Sequence, residues 1–243
     1  MKKLVVIPTK NERTLFLKKC VELGHLYVEV LYGKQVCYEL TQLQVVVALG
    51  GLGKAQFGVQ TQYLIDRIED LESVLCVGAS GCLNSNYVAG DVVVGTKTVE
   101  HDIKKHSRMM MPEFVSDALL IDIFQSLATK DRSYSVHFGP IASGDEDIMS
   151  TKRKAEVRER TGADVVAWEG AGGARACHFS GVPFVEIRGI TDFADHQAEG
   201  DFLKHLEAVM GNLAELVVDS VQKERAILSN KRPDLDGVNT LSN

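Results

Sequence analysis

The sequence is most informative first in what it has little of. Its five prolines are scattered, and no proline- or serine-rich stretch interrupts its 243 residues, so no linker divides it into domains. No apolar run approaches the ~20 residues that a membrane-spanning helix needs. Positive charge is in deficit: 27 Lys and Arg stand against 33 Asp and Glu, for a net charge of −6. That balance argues against a nucleic-acid partner, whose phosphates demand a basic surface. The five cysteines, Cys20, Cys37, Cys76, Cys82 and Cys177, form no CxxC pair and cluster with no histidines. Neither a zinc site nor a disulfide framework is indicated, and no metal or organic cofactor is required. An odd number of widely spaced thiols suits the reducing cytoplasm. The opening MKKLVVIPTKNER has a basic start, but its apolar run covers only residues 4–7, and no small-residue cleavage site follows. It reads as a first buried strand rather than a secretory signal. Nucleotide fingerprints are missing too. Ala48-Leu-Gly-Gly-Leu-Gly-Lys-Ala has glycines after a strand, but it fits neither GxGxxG nor GxxxxGK[ST]. A Rossmann-type dehydrogenase is therefore disfavoured.

What is present is an ordinary globular composition, 45% hydrophobic and 25% charged. Short apolar runs rich in Val and Ile, at residues 4–7, 45–49, 74–77, 92–94, 141–142, 165–168 and 184–187, predict buried strands. Between them, helical spacing of apolar residues predicts helices over 58–68, 115–128, 172–179 and 202–222. This alternation predicts one α/β domain over residues 1–228, with a central sheet covered on both faces. Residues 229–243 are polar and without apolar period, and are expected to form a flexible tail.

Two glycine turns are candidates for ligand approach. Gly50 to Ala55 reads either as a tight turn needing positive φ or as a backbone wall beside a ligand. Val77-Gly-Ala-Ser-Gly-Cys is a second turn of the same kind. His101-Asp102 suggests a proton relay, but neighbouring strand residues face opposite ways, so a structural pair is the plainer reading. The strongest segment is VVAWEGAGGARACHFSGVPFVEIRGITDFAD, residues 165–195. One predicted strand ends in Trp168-Glu169 and the next runs through Arg188 to Thr191-Asp192. Open α/β sheets bind ligands at the C-terminal ends of their strands, and here two such ends each deliver a carboxylate. A glutamate there can accept both hydroxyls of a ribose. A protonated aspartate beside a base can donate to a ring nitrogen.

This segment resembles the nucleoside phosphorylase superfamily and, within it, the methylthioadenosine/S-adenosylhomocysteine nucleosidases. The likeness extends over nearly the whole chain in the same order. Val77–Leu83 with Gly90-Asp-Val-Val-Val is similar to the block TGSAGGL…VGDIVV, and His101-Asp102 to the HD that follows it. Ser143-Gly-Asp-Glu-Asp-Ile resembles SGDAFI, Trp168-Glu169-Gly-Ala resembles ME-[AG]-[AT], and Arg188-Gly-Ile-Thr-Asp-Phe-Ala-Asp resembles RAISDVAD. The resemblance implies a single-domain α/β fold, its central mixed β-sheet partly barrel-like and flanked by helices. It also implies roles. Asp192 is the general acid toward N7 of a leaving purine, and Thr191 supports it. Glu169 holds the ribose hydroxyls, and Trp168 takes the place of a methionine along the sugar. Gly81 and Ser80 lie near sugar and nucleophile, and Ile148 offers its backbone to the base. Glu12 orients the attacking water, and Arg188 steadies the site from behind. A homodimer is implied, with residues 109–114 capping the 5′ side of the nucleoside.

The departures bear on chemistry. Ala167 stands where a carboxylate precedes the ribose glutamate, and Asp147 where an aromatic stacks on adenine. Aligning the first strand without a gap puts Arg13, not Glu12, at the catalytic position. The phosphate cradle of a phosphorylase would need an arginine where Cys76 stands and a hydroxyl where Ala79 stands, and Arg13 is the one cation that could complete it. Hydrolysis is the favoured reading. Phosphorolysis and a non-catalytic nucleoside-binding protein remain as alternatives.

Overall fold

A computed structural model of the chain describes residues 1–103 and 111–230. In chain order the elements are β1 (Lys2–Ile7), α1 (Lys10–Glu22), β2 (Val28–Tyr32), β3 (Gln35–Leu40), β4 (Val45–Leu49), α2 (Gly53–Ile65), β5 (Leu71–Cys82), β6 (Val92–Glu100), β7 (Glu113–Val115), α3 (Ala118–Gln125), β8 (Val136–Ser143), α4 (Thr151–Thr161), β9 (Val165–Ala167), α5 (Gly170–Ser180), β10 (Phe184–Asp192) and α6 (Ala198–Asn230). All strands belong to one mixed sheet, ordered β10-β6-β8-β9-β5-β1-β4-β3-β2, with β7 on β6. A second pairing, β10 with β5, closes the first five of these into a ring, so one half of the sheet is a small barrel. The other half fans out as the open leaf β1-β4-β3-β2.

Strand alternation builds two cores. Val5 and Ile7 of β1 face one side with Leu75, Val77, Val185 and Ile187, under Phe16 and Leu17 of α1 and Leu206, Val209 and Leu213 of α6. Leu4 and Val6 face the other side with Val46, Val74 and Cys76, under Phe57 and Leu64 of α2 and Ala174 and Cys177 of α5. Burial on both faces explains why these strands read as unbroken apolar runs. All five cysteines are buried free thiols.

Helices α2 and α5 meet backbone to backbone. A Cβ on Gly58 would lie 3.0 Å from the Gly172 carbonyl oxygen, and one on Gly172 only 2.1 Å from that of Lys54. Glycine at both positions therefore lets the start of α2 press against the start of α5, where Glu169 sits.

Several boundaries differ from those expected from periodicity. Helix α2 begins at Gly53, directly from the glycine turn, and ends at Ile65. Part of the expected 115–128 helix is strand β7, and α3 starts only after Asp117, whose carboxylate caps Leu119 and Leu120. Helix α6 extends beyond 202–222 at both ends. Helices α1 and α4 and the β2–β3 hairpin carry no clear apolar period. In α4 only Val157 and Thr161 are buried. In α1 the local signal is Thr9-x-x-Glu12, a capping box in which each residue bonds the other's backbone. The expected tail lies outside the described residues from 231 onward.

Candidate active site

The C-terminal ends of β1, β5, β9 and β10 surround one cavity of about 550 Å³, in the size range of small-molecule sites. All nine residues singled out from the sequence line it: Glu12, Ser80, Gly81, Ile148, Trp168, Glu169, Arg188, Thr191 and Asp192. Pro8, Thr9, Leu52, Met149, Ala194, Glu199 and Phe202 also line it. The loop Pro8-Thr9 is legible only through the capping box, and Phe202 only as the first apolar residue of the last helical period.

Asp192 ends β10, opposite Gly81 of β5 at a register shift. It is buried. Its Oδ1 accepts the Ala194 N–H at 2.9 Å, and the Thr191 hydroxyl lies 2.9 Å from its Oδ2. Ala194 holds φ 51°, a left-handed conformation that costs a non-glycine residue about 1–2 kcal/mol. The strain aims its N–H at the carboxylate, as strained residues at functional sites often do. A Cβ on Gly81 would come within 3.0 Å of Asp192 Oδ1, so glycine there leaves the acid room. Burial pushes the Asp192 carboxyl above the usual carboxylate range, against the bonds from Ala194 and Thr191, with help from Asp201 and Asp195.

Glu169 lies two residues beyond β9 and stands as the residue before α5. Its Oε2 accepts from Arg188 Nη2 at 3.1 Å, and its Oε1 takes a long bond of 3.4 Å from the Gly53 N–H. The Gly50 turn is thus both readings at once: Gly51 and Gly53 hold φ of 81° and 75°, and the turn walls the site. Burial raises the Glu169 carboxyl, the Arg188 charge opposes that, and Glu12 adds to it.

Glu12 is buried and fixed at both oxygens. Oε2 accepts from the Thr9 N–H and hydroxyl at 3.0 and 2.6 Å, and Oε1 accepts from the Ala79 N–H at 2.9 Å. Arg13, the rival for this position, turns away: its guanidinium lies 4.9 Å from the Tyr38 ring centre on β3 and does not line the cavity. The cation that could have completed a phosphate cradle is therefore elsewhere. Ser80 donates its hydroxyl to the Gly189 carbonyl at 3.1 Å, and Ala79 offers no hydroxyl.

The charge balance decides what the cavity can hold. Glu12, Glu146, Asp147, Glu169, Asp192 and Glu199 line it, and among the described residues Arg188 is its only cationic side chain. Arg188 is itself buried and committed, with Nε 2.8 Å from Glu186 and Nη2 3.1 Å from Glu169. The wall formed by residues 147–149 and Trp168 is looser. Ile148 is buried, Trp168 is half-buried, and Asp147 and Met149 are exposed. His101 and Asp102 do not act together: the buried His101 ring makes no hydrogen bond among the described residues and lies 4.0 Å from Glu146, while Asp102 pairs with Lys54. Of the expected capping segment 109–114, residues 109 and 110 lie outside the described residues, and 113–114 belong to β7, paired to β6. Among the described residues no group of His, Cys, Asp and Glu could hold a metal ion, and no helix is long and apolar enough to cross a membrane.

Comparison with known proteins shows the family. The sequence model of the family described as the phosphorylase superfamily matches residues 3–222. The 5′-methylthioadenosine/S-adenosylhomocysteine nucleosidase of Exiguobacterium sp. (strain ATCC BAA-1283 / AT1b) is 32% identical over 188 residues, covering 74% of this chain and 80% of that protein. The crystal structure of the enzyme of that name from Neisseria meningitidis, in complex with methylthio-immucillin-A, matches with a TM-score of 0.79 at 29% identity, over 92% of this chain and 100% of that one. Futalosine hydrolase of Helicobacter pylori shares the fold, with a TM-score of 0.80 at 24% identity over 91% of this chain and 98% of that one.

Proposed function

The chain belongs to the phosphorylase superfamily, and we propose that within it the protein is a nucleosidase, using water to split the N-glycosidic bond of a purine nucleoside. Nucleosides with a 5′-thio substituent, 5′-methylthioadenosine and S-adenosylhomocysteine, are the first candidates, by likeness to the nucleosidases named above. The observation that carries the reading is the charge balance: apart from Asp192, which holds its proton, and Glu146, which is paired to Arg153, four lining carboxylates stand around one cation already paired to two glutamates. Such a cavity repels a phosphate dianion. At an effective dielectric of 20, two unit charges 4 Å apart interact by about 4 kcal/mol. The same surplus of negative charge favours the positive charge that develops on the ribosyl carbon as the bond breaks.

Asp192 is assigned as the general acid. Its raised carboxyl keeps a proton nearer neutral pH, and protonating N7 of the purine improves the leaving group. Glu169 accepts the ribose hydroxyls with the lone pairs that Arg188 and Gly53 leave free. Glu12, immobilised by Thr9 and Ala79, orients the water. Gly81 and Ser80 line the sugar, Trp168 offers the aromatic surface that Asp147 does not, and Ile148 backs the base. A homodimer in the cytoplasm completes the reading. Val59, Val115 and Phe179 are 70%, 79% and 83% exposed on α2, β7 and α5, an apolar face suited to a second copy. A monomer by light scattering would contradict that part.

The test is product analysis by mass spectrometry after incubation with methylthioadenosine, S-adenosylhomocysteine, adenosine, inosine and uridine, each with and without phosphate. Free base and free sugar without phosphate are expected from at least one purine nucleoside. Release only with phosphate, as a sugar 1-phosphate, would make the protein a phosphorylase. Binding without any release would favour the non-catalytic reading.

A further inference from the structure

Glu186 lies in the middle of β10 and is fully buried, yet it does not line the cavity. A carboxylate there is costly unless every lone pair finds a partner. Its Oε1 accepts from Arg188 Nε at 2.8 Å, and its Oε2 accepts from the Thr98 hydroxyl at 2.5 Å. Residues i and i+2 of a strand share a face, which sets Glu186 beside Arg188. The carboxylate also occupies the space a side chain on Gly170 would need: a Cβ there would lie 2.0 Å from Glu186 Oε2. So the first residue of α5 has no side chain, and the glutamate tucks against the positive end of that helix.

The consequence lies in how Arg188 distributes its donors. Nε goes to Glu186, Nη1 to the Ala79 carbonyl at 3.2 Å, and Nη2 to both Glu169 and the Cys76 Sγ, the latter at 3.4 Å. A guanidinium facing a single carboxylate takes both of its oxygens, fork to fork. Here that geometry is blocked, because Nε and Nη1 are engaged. Glu169 receives one N–H from Arg188 and keeps lone pairs for the two ribose hydroxyls.

We infer that Glu186 is a positioning residue for nucleoside recognition: by holding Arg188 on its Nε edge, it stops the arginine from chelating Glu169 and leaves that carboxylate open to the 2′- and 3′-hydroxyls of the sugar. The inference rests on the reading of Glu169 as the ribose-binding group. It predicts that the penalty for losing the Glu186 charge depends on the substrate's hydroxyls, which a purely structural ion pair would not.

The experiment compares kcat/KM on 5′-methylthioadenosine and on its 2′-deoxy analogue, for the wild type, Glu186→Gln and Glu169→Gln. Glutamine keeps the shape of Glu186 but offers Nε only a neutral amide oxygen, so the charge-assisted hold on the guanidinium is lost. For Glu186→Gln, kcat/KM on the ribonucleoside should fall by up to about 10²-fold, the order expected for a misplaced binding group. On the 2′-deoxy analogue it should change little. Equal losses on both substrates, or no loss on either, would overturn the inference. Glu169→Gln separates this from the underlying reading: it should abolish the preference for the 2′-hydroxyl, and if it does not, the ribose-binding role itself fails. Should Glu186→Gln not fold, Thr98→Val keeps the Glu186 charge but removes the bond that anchors its other oxygen, so its hold on Arg188 Nε loosens. It should show the same substrate dependence to a smaller degree, and equal losses on both substrates would again overturn the inference.

Discussion

The two ends of the cavity are built differently. On the side proposed for the sugar, Glu12, Glu169 and Arg188, with Glu186 behind them, are all buried, and each makes bonds of 2.5–3.4 Å with at least two neighbouring residues or backbone groups. On the side proposed for the base, Asp147 and Met149 are exposed and Trp168 is half-buried, with no hydrogen bond fixing the Trp168 ring among the described residues. Asp192 lines the same cavity and is buried like the first group. The contrast teaches where precision is needed. Stabilising charge at the ribosyl carbon depends on fixed dipoles that do not reorganise, whereas holding a flat base needs chiefly contact area. Catalysis should therefore be brittle on the sugar side and specificity adjustable on the base side.

The sharpest break is Asp192→Asn. It should lower kcat roughly 10²–10⁴-fold, the usual worth of a general acid, while ligand affinity by calorimetry stays nearly constant. A parallel loss of binding would remove Asp192 from that role. Next comes Arg188→Met, which leaves Glu169 and Glu186 buried without their cation. Breaking a buried pair in this way costs about 3–5 kcal/mol, measurable as a lower denaturation midpoint in urea. A change below about 1 kcal/mol would mean those carboxylates take up protons without the penalty expected of a broken buried pair.

The pH dependence follows from the raised Asp192 and Glu169 carboxyls. Both groups bind a proton more tightly in the folded than in the unfolded chain. Their contribution to stability is therefore present below the unfolded pKa and is lost as pH rises through the raised folded value. Turnover should fall along the same limb, because the acid must carry its proton. Asp192→Asn should remove its share of that loss, so the difference in melting temperature between pH 5 and pH 8 should shrink. An unchanged difference would show that Asp192 is not titrating in that range. The smallest effect is expected at the exposed end. Asp147→Asn should change kcat/KM by no more than about 0.5 kcal/mol, roughly a factor of two, as for other surface sites. A tenfold change would mean that Asp147 touches the base.

Much of this contrast is legible in the order of the amino acids. Strands buried on both faces announce themselves as apolar runs, which is why β1, β4, β5 and β10 can be read. The carboxylates at the ends of two such strands, Glu169 and Asp192, mark the site. Less legible are elements whose stability comes from neighbours. Helix α4 is charged at seven of its eleven residues and buries only Val157 and Thr161, and the hairpin β2–β3 sits at the sheet's outer edge. Closure of the barrel rests on the β10–β5 pairing, a long-range contact with no local signature. Whether Glu12 or Arg13 faces the cavity also escapes reading along the chain, because consecutive residues at a helix start point in different directions. The capping box Thr9…Glu12 carries that answer. Glu186 is visible as a lone acid inside an apolar strand, two residues before an arginine, but its meaning needs the guanidinium's other partners.

The division of labour between the two ends can be tested directly with 4-nitrophenyl β-D-riboside, whose leaving group departs without a proton. The measurement is kcat/KM on this compound and on 5′-methylthioadenosine, for the wild type, Asp192→Asn and Glu169→Gln. The account predicts that Asp192→Asn is crippled on the nucleoside but close to wild type on the nitrophenyl riboside, while Glu169→Gln is impaired on both. An Asp192→Asn variant equally impaired on both compounds would contradict the assignment of a separate acid at the base and a separate anionic clamp at the sugar.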